Sequence, residues 1–321
     1  MNFQVIVTLG PSILKEETLK SIDGLGPCIY RINGAHSSGS QVLEIVNLMR
    51  KFLPKAPLLL DLPGNKIRTK NLETPFQLEK GKTITLSPHQ LNFRDFHKFV
   101  KVGDQVLAND SIYTLEVAAI EEDTITLLSH SDGPLGNNKG LHVQGIHHQI
   151  PFIFAKDMEL LEAGTQCRID YLGLSFVRTS EDIQEVKRIL AHMDNRSSHL
   201  LAKVETLSAV KNLGHIFREV DSVLVDRGDL STDVGLFELA SYQDRIVEAA
   251  KRAGKKVFLA TQFLKNMELY PIPLIAEIID LHKTIKAGIN GIQLSEETAI
   301  GKYPVDCVRN VFKVYYNSFS G

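Results

Sequence analysis

Residues 171–190 read YLGLSFVRTSEDIQEVKRIL, and this stretch decides the fold. Tyr171 to Leu174 is a short apolar run without strict alternation, the pattern of a parallel strand buried on both faces. Ser180 to Met193 then places Ile183, Val186, Ile189 and Leu190 at the spacing of a helix with one apolar face. Strand then helix, joined by a right-handed crossover, is one unit of a parallel sheet. The same unit recurs in both directions along the chain. Further core strands read at Phe3–Leu9, Cys28–Ile32, Leu58–Leu60, His199–Ala202, Ser222–Val225, Val257–Ala260 and Gly291–Leu294. Amphipathic segments lie between them at Lys15–Asp23, Ser40–Phe52, Leu236–Arg252 and Leu274–Ala287. Eight such units favour an α/β fold closed as a (β/α)8 TIM barrel over an open sheet.

The rhythm breaks between Lys66 and Ile150. Lys82–Leu86, Gln105–Ala108, Ile112–Ala119 and Thr124–His130 are short β-rich runs. Turn residues such as Ser131-Asp132-Gly133-Pro134 separate them, and helix patterns are scarce. The expectation is a barrel in two parts, residues 1–66 and 150–321, with a small all-β domain at 67–149 inserted after the third barrel strand.

The 321 residues suit one barrel plus a small insert. A net charge of −2 leaves no electrostatic footprint for nucleic acid or an anionic membrane. Apolar runs such as Ala56–Leu60 and Phe152–Ala155 are far too short to span a bilayer. The three cysteines, Cys28, Cys167 and Cys307, form no close pair. That fits a reducing compartment, and with no basic start or cleavage site at the N-terminus the expected location is the cytoplasm.

Polar residues crowd the carboxyl ends of the predicted strands, where barrel enzymes do their chemistry. The first strand leads into Thr8-Leu9-Gly10-Pro11-Ser12, and the second ends at Arg31-Ile32-Asn33-Gly34-Ala35-His36-Ser37. The third reaches Asp61 and then Lys66-Ile67-Arg68-Thr69. The fifth runs into Lys203-Val204-Glu205, the sixth into Asp226-Arg227-Gly228-Asp229, the seventh into Thr261-Gln262, and the eighth into Ser295-Glu296-Glu297-Thr298. Lys203 and Glu205 are two apart and share a face if the strand continues. Glu205 and Asp229 come from neighbouring strands, and two carboxylates with few other ligands suit Mg²⁺. Arg31, Arg68 and Lys203 add cations that suit a phosphate and a carboxylate.

From Val5 to about Val311 the chain resembles the pyruvate kinase family. The matching segments occur in order: VTLGPS (7–12), RINGAHS (31–37), LDLPGNKIRT (60–69), KVGDQVLANDSI (101–112), NKGLHVQG (138–145), IPFIFAKD (150–157), LSFVRTSEDIQEVKRIL (174–190), AKVET (202–206), VDRGDLS (225–231), RAGKKVFLATQFL (252–264) and LSEETAIGKYP (294–304). The resemblance implies transfer of the phosphoryl group of phosphoenolpyruvate to ADP, giving pyruvate and ATP. It implies Mg²⁺ or Mn²⁺ at Glu205 and Asp229, charge neutralisation by Lys203, and a phosphate site lined by Arg31. It implies substrate contacts from Ser175, Gly228, Asp229 and Thr261, with Thr261 on the route that protonates the enolate. Arg68, His36 and Lys139 would serve the nucleotide, Lys139 from a β domain corresponding to the family's mobile lid. The family's C-terminal regulatory domain is expected to be absent, leaving a homodimer or a monomer.

Departures from the family pattern carry expectations of their own. The family's potassium site corresponds to Asn33, Ala35, Asp61 and the main chain at Leu62, and Ala35 replaces the usual serine. Lys66 stands where a glutamate often sits, and some family members carry lysine there and do not need potassium. The expectation is a tethered ammonium in place of K⁺. Asp226 replaces a small alanine. A carboxylate facing a substrate carboxylate would repel it by about 4 kcal/mol at 4 Å and an effective dielectric of 20. Either Asp226 turns away to pair with a base such as Arg227, or the site takes a different substrate. Glu296 replaces a glycine and adds negative charge, and Ile275 replaces an arginine near the family's subunit contact.

Other residues attract blander readings. His147-His148 are adjacent and point apart, so a shared metal ion is not expected. His89, His97 and His130 lack ligand spacing, Glu121-Glu122-Asp123 reads as a solvated turn, and Gly133-Pro134-Leu135-Gly136 reads as a loop. Two competing functions stand beside the kinase. One is a metal-dependent lyase or aldolase acting through a pyruvate enolate, or a kinase for a different acid. The other is a non-catalytic phosphoenolpyruvate-binding relative. Arg68, His36 and Lys139 favour the kinase over a lyase, which has no nucleotide to hold.

Overall fold

Runs of valine, leucine and isoleucine that are apolar on both faces can be buried only in a sheet covered on both sides. In the computed structural model, which describes residues 3–109, 111–146, 149–193 and 198–319, these runs form a closed parallel barrel. Its strands are β1 (Gln4–Thr8), β2 (Cys28–Asn33), β3 (Leu58–Leu62), β4 (Tyr171–Leu174), β5 (His199–Val204), β6 (Ser222–Asp226), β7 (Lys256–Ala260) and β8 (Gly291–Leu294). Each pairs with its sequence neighbours, and β8 closes on β1 through Val5 opposite Ile292. The observed strands coincide with the predicted ones to within a few residues at each end.

The barrel interior is filled by Ile6, Ile29, Leu59, Leu201, Leu224, Phe258 and Ala260, all buried. This is the layered side-chain core that makes such a barrel a solid. Helices cover the outside: α1 (Glu16–Asp23), α2 (Gly39–Phe52), α3 (Ala155–Thr165), α4 (Ser180–His192), α5 (Leu207–Lys211), α6 (Leu213–Glu219), α7 (Arg227–Val234), α8 (Leu239–Arg252), α9 (Ile275–Lys286), α10 (Glu296–Ala299) and α11 (Pro304–Ser318). On α4 the buried residues are Ile183, Val186 and Leu190, as the spacing predicts, with Ser180 and Asp182. Asp157 fixes the ends of the barrel chain at the insertion point. Its Oδ1 accepts from Gly64 N at 2.9 Å and its Oδ2 from Phe154 N at 2.8 Å, which also caps α3.

The chain divides into two units. One is Met1–Gly64, Ile153–Leu230 and Glu238–Gly321; the other is Asn65–Phe152 with Ser231–Phe237. Among the described residues the second unit holds a six-stranded antiparallel sheet. Its order is Ile67–Arg68, Gly140–His142, Gln105–Ala108, Tyr113–Glu121, Thr124–Ser129 and Thr83–Leu86. Gly133–Leu135 pairs antiparallel with Phe76–Leu78, which corrects the loop reading of Gly133–Gly136. Proline cannot donate to a ladder, so Pro134 suggests a turn, but a two-stranded pair has only edges and tolerates it. His147 and His148 lie outside the described residues. Among those described, no helix is long and apolar enough to cross a membrane.

Candidate active site

The parallel register brings the strand ends level, so residues distant in sequence meet. Thr8 lies beside Arg31 across β1 and β2, and Asn33 beside Asp61 across β2 and β3. Arg31 is buried, and its Nε donates to Asp61 Oδ2 at 2.7 Å while Nη1 donates to Thr8 Oγ1 at 3.0 Å. Thr8 Oγ1 donates its own hydrogen bond to the carbonyl of Leu294 at 2.7 Å, which leaves the hydroxyl oxygen as an acceptor for Arg31.

Lys203 lies at the centre, 5% exposed near the end of β5. Its Nζ is 2.8 Å from Glu205 Oε1 and 3.5 Å from both Asp61 Oδ2 and Asp226 Oδ2, and it donates to Ser175 Oγ at 3.1 Å. Burial disfavours the ammonium, and Arg31 repels it. Asp61, Glu205 and Asp226 together outweigh both and hold its pKa above the ordinary lysine value. Glu205 is fully buried, and its Oε2 accepts from Phe176 N at 2.6 Å. Burial pushes its carboxyl up to about 8; Lys203 opposes the shift, and Asp229 and Asp226 reinforce it.

Asp226 does not turn to Arg227. Its Oδ1 accepts from Thr261 Oγ1 at 2.7 Å, and with Oδ2 near Lys203 the carboxylate faces into the cluster. Of the two alternatives for Asp226, the turn away to Arg227 is therefore not the one adopted. Arg227 is committed elsewhere: Nη1 binds Asp280 Oδ2 on α9 at 2.7 Å, Nε and Nη2 donate to the carbonyl of Thr261, and the guanidinium lies 4.0 Å over the Phe263 ring. Thr261 has φ 83° and Gln262 φ 57°. For a β-branched residue that conformation is strained and survives only where surrounding contacts impose it. Arg227 supplies them. Gly228 packs closely beside it: a Cβ there would sit 3.1 Å from Thr261 Cγ2, a tight contact.

Carboxylate oxygens of Glu205, Asp226 and Asp229 lie within 4.8 Å of one another. Hard oxygen donors crowded around one ammonium suit a divalent cation such as Mg²⁺ or Mn²⁺, so the residues fit the ion that the sequence implies. Glu296 is exposed and groups with Glu268 and Glu297, apart from this set.

The structure thus brings together Arg31, Asp61, Ser175, Lys203, Glu205, Gly228, Asp229 and Thr261. It places the other predicted residues as follows. Asn33 accepts from Ala35 N at 3.2 Å, capping the short turn Gly34–His36, on which His36 is exposed. Leu62 is buried at the end of β3. Arg68, Lys139 and Lys66 belong to the second unit. There Thr69 N donates to Lys139 O at 3.0 Å, and Arg68 Nη1 donates to Asn138 O at 3.3 Å. A Cβ on Gly140 would come within 3.3 Å of Lys66 Nζ, so the Lys66 chain crosses the bare glycine. Sequence reasoning missed Thr8 as the partner of Arg31 and Arg227 as the brace of Thr261. Thr8 could have been found from strand register; no sequence signal marks Arg227 as a brace.

A (β/α)8 barrel with a buried lysine, an arginine and several carboxylates at its strand ends is an enzyme architecture for anionic substrates. Residues 1–308 match the family described as pyruvate kinase, barrel domain. The chain is 31% identical over 319 residues to the pyruvate kinase of Aeropyrum pernix, covering 97% of this chain and 69% of that protein. It is 30% identical over 327 residues to that of Thermococcus litoralis, covering 97% and 68%. It is 29% identical over 314 residues to that of Borreliella burgdorferi, covering 95% and 66%, so it spans about two thirds of the length of these relatives. The chain belongs to the pyruvate kinase family.

Proposed function

We propose that this chain transfers the phosphoryl group of phosphoenolpyruvate to ADP, giving pyruvate and ATP. One observation carries the reading: in a member of this family, a buried Lys203 is held charged at the strand ends beside Glu205 and Arg31. Phosphoryl transfer is mostly positioning and charge stabilisation, and a rigid ammonium that needs no reorganisation suits it. Lys203 neutralises charge on the phosphoryl group in transit, and Arg31, oriented by Asp61 and Thr8, binds its oxygens. Glu205 and Asp229 hold Mg²⁺ or Mn²⁺, which when bound polarises phosphoryl and substrate oxygens. Ser175, Gly228 and Thr261 orient the acid, and the Thr261 hydroxyl lies on the proton route to the enolate. Arg68, His36 and Lys139 take the nucleotide phosphates.

The reading extends to potassium independence. Asp61, one of the residues in place of a potassium ligand, is already balanced by Arg31 at 2.7 Å and Lys203 at 3.5 Å; the assignment of Lys66 as the tethered cation rests on its place in the sequence. The test is pyruvate formation from phosphoenolpyruvate, ADP and Mg²⁺, with and without K⁺, beside Lys203→Ala. Turnover that needs Lys203 and not K⁺ is expected. Turnover only with K⁺ sinks the Lys66 assignment, and none at all in folded protein sinks the kinase. A homodimer or monomer is expected, and sedimentation as a tight tetramer would count against that.

A further inference from the structure

The corner formed by the end of β6, the start of α7 and the end of β7 is built to receive an anion. The first turn of α7 brings the positive end of a helix, Thr261 brings a hydroxyl donor, and Lys203 brings a buried ammonium. In this chain the corner already contains an anion of its own. Asp226 is the last residue of β6 and immediately precedes α7. Its Oδ1 accepts a hydrogen bond from Thr261 Oγ1 at 2.7 Å, and its Oδ2 stands 3.5 Å from Lys203 Nζ. The side chain is 14% exposed, so water screens it little. Arg227, the adjacent base, is held by Asp280 and the Thr261 carbonyl and offers Asp226 no alternative partner.

We propose that Asp226 determines the specificity of this site by standing in for a ligand carboxylate. An acid ligand has to displace it from Thr261 and Lys203 and then bear its charge at close range. A ligand with an uncharged amide, carbonyl or hydroxyl at that place meets a hydrogen-bond acceptor and no repulsion. The site therefore discriminates against carboxylates relative to their uncharged isosteres. This rests on the proposed function for the location of the ligand, and it has the acid of that reading bind only by displacing Asp226 from Thr261 and Lys203.

Oxalate and oxamate are suitable probes, since they differ by one carboxylate replaced with an amide. Calorimetric titration of the full chain with each, at saturating Mn²⁺, would be compared for the native protein, Asp226→Ala and Asp226→Asn. Oxalate is expected to bind at least about tenfold more tightly to Asp226→Ala, which loses both the charge and the competing acceptor. Asp226→Asn should show a smaller gain, and oxamate should change by less than about threefold in either. Unchanged or weaker oxalate binding in both variants overturns the proposal, as does failure of all three proteins to bind it. A fall in Mn²⁺ affinity together with weaker oxalate binding would make Asp226 a third metal ligand and overturns it as well. Asp226→Asn preserves shape and carries the test if the alanine variant does not fold. Because the readout is binding, a tightened oxalate isotherm without phosphoryl transfer would sink the kinase and leave this inference standing.

Discussion

Asp157 ties the start of α3 to the point where the barrel chain leaves for the insert, and its protonation should be visible in stability. The side chain has no exposed surface. Burial raises its pKa from 3.8 to about 6; the backbone donors at Phe154 and Gly64 oppose the shift, and Asp61 adds to it. A group whose folded pKa lies above its unfolded value binds its proton more tightly in the folded state. Its contribution is fully present below about pH 4 and is lost as pH rises through about 6. A shift of that size corresponds to about 3 kcal/mol. Replacing it in Asp157→Asn removes the titration while keeping the shape. The amide nitrogen then faces one of the two backbone N–H groups, a cost of about 1–3 kcal/mol that does not depend on pH. The assay is urea unfolding of both proteins between roughly pH 4 and pH 7. The native protein should lose about 2.4 kcal/mol relative to the variant across that range, whatever the constant offset. Parallel curves, or a difference that grows in the opposite direction, would refute the assignment.

Lys203→Met should abolish turnover and cost about 3–5 kcal/mol of stability, since it leaves buried carboxylates uncompensated; a folded variant with native activity in a coupled pyruvate assay would contradict both. Glu205→Gln and Asp229→Asn should each weaken Mn²⁺ binding by at least about tenfold, read by electron paramagnetic resonance of the free ion; unchanged affinity would move the metal elsewhere. Arg227→Ala should destabilise the chain by about 2–3 kcal/mol, through loss of the Asp280 pair, the Thr261 carbonyl bonds and the ring contact; a thermal melt within about 1 °C of native would show that Thr261 holds its conformation unaided.

The barrel was legible because burial on both faces leaves a continuous apolar signature, as in Leu58–Leu60 and Val257–Ala260. The insert was legible through its longer strands, but Ile67–Arg68 and Gly140–His142 are too short to carry alternation. Ser231–Phe237, which reads as barrel sequence, groups with the insert, and α8 begins only at Leu239, where the predicted helix began at Leu236. At the site, residue types at strand ends singled out Lys203, Glu205, Asp229 and Thr261, which the structure brings close together. Which partner each would choose was not legible. Asp226 had two bases within reach, and the choice between them was made by Asp280, a residue on another helix that sequence proximity does not connect to it.

That choice governs the charge of the whole site. Lys203 and Arg31 face four carboxylates, Asp61, Glu205, Asp226 and Asp229. With all of them ionised, as a divalent ion held by Glu205 and Asp229 would leave them, the carboxylates exceed the two cations by two negative charges, which that ion neutralises. Had Asp226 paired with Arg227, its charge would have been cancelled outside the cluster and an acid would meet a site of net positive charge once the metal was bound. Instead Arg227 spends its donors holding a strained Thr261, and the hydroxyl so positioned is given to Asp226. The brace that makes Thr261 available to a ligand and the carboxylate that occupies it are consecutive residues. A substitution at Asp226 alone would therefore change what the site accepts while leaving its scaffold intact.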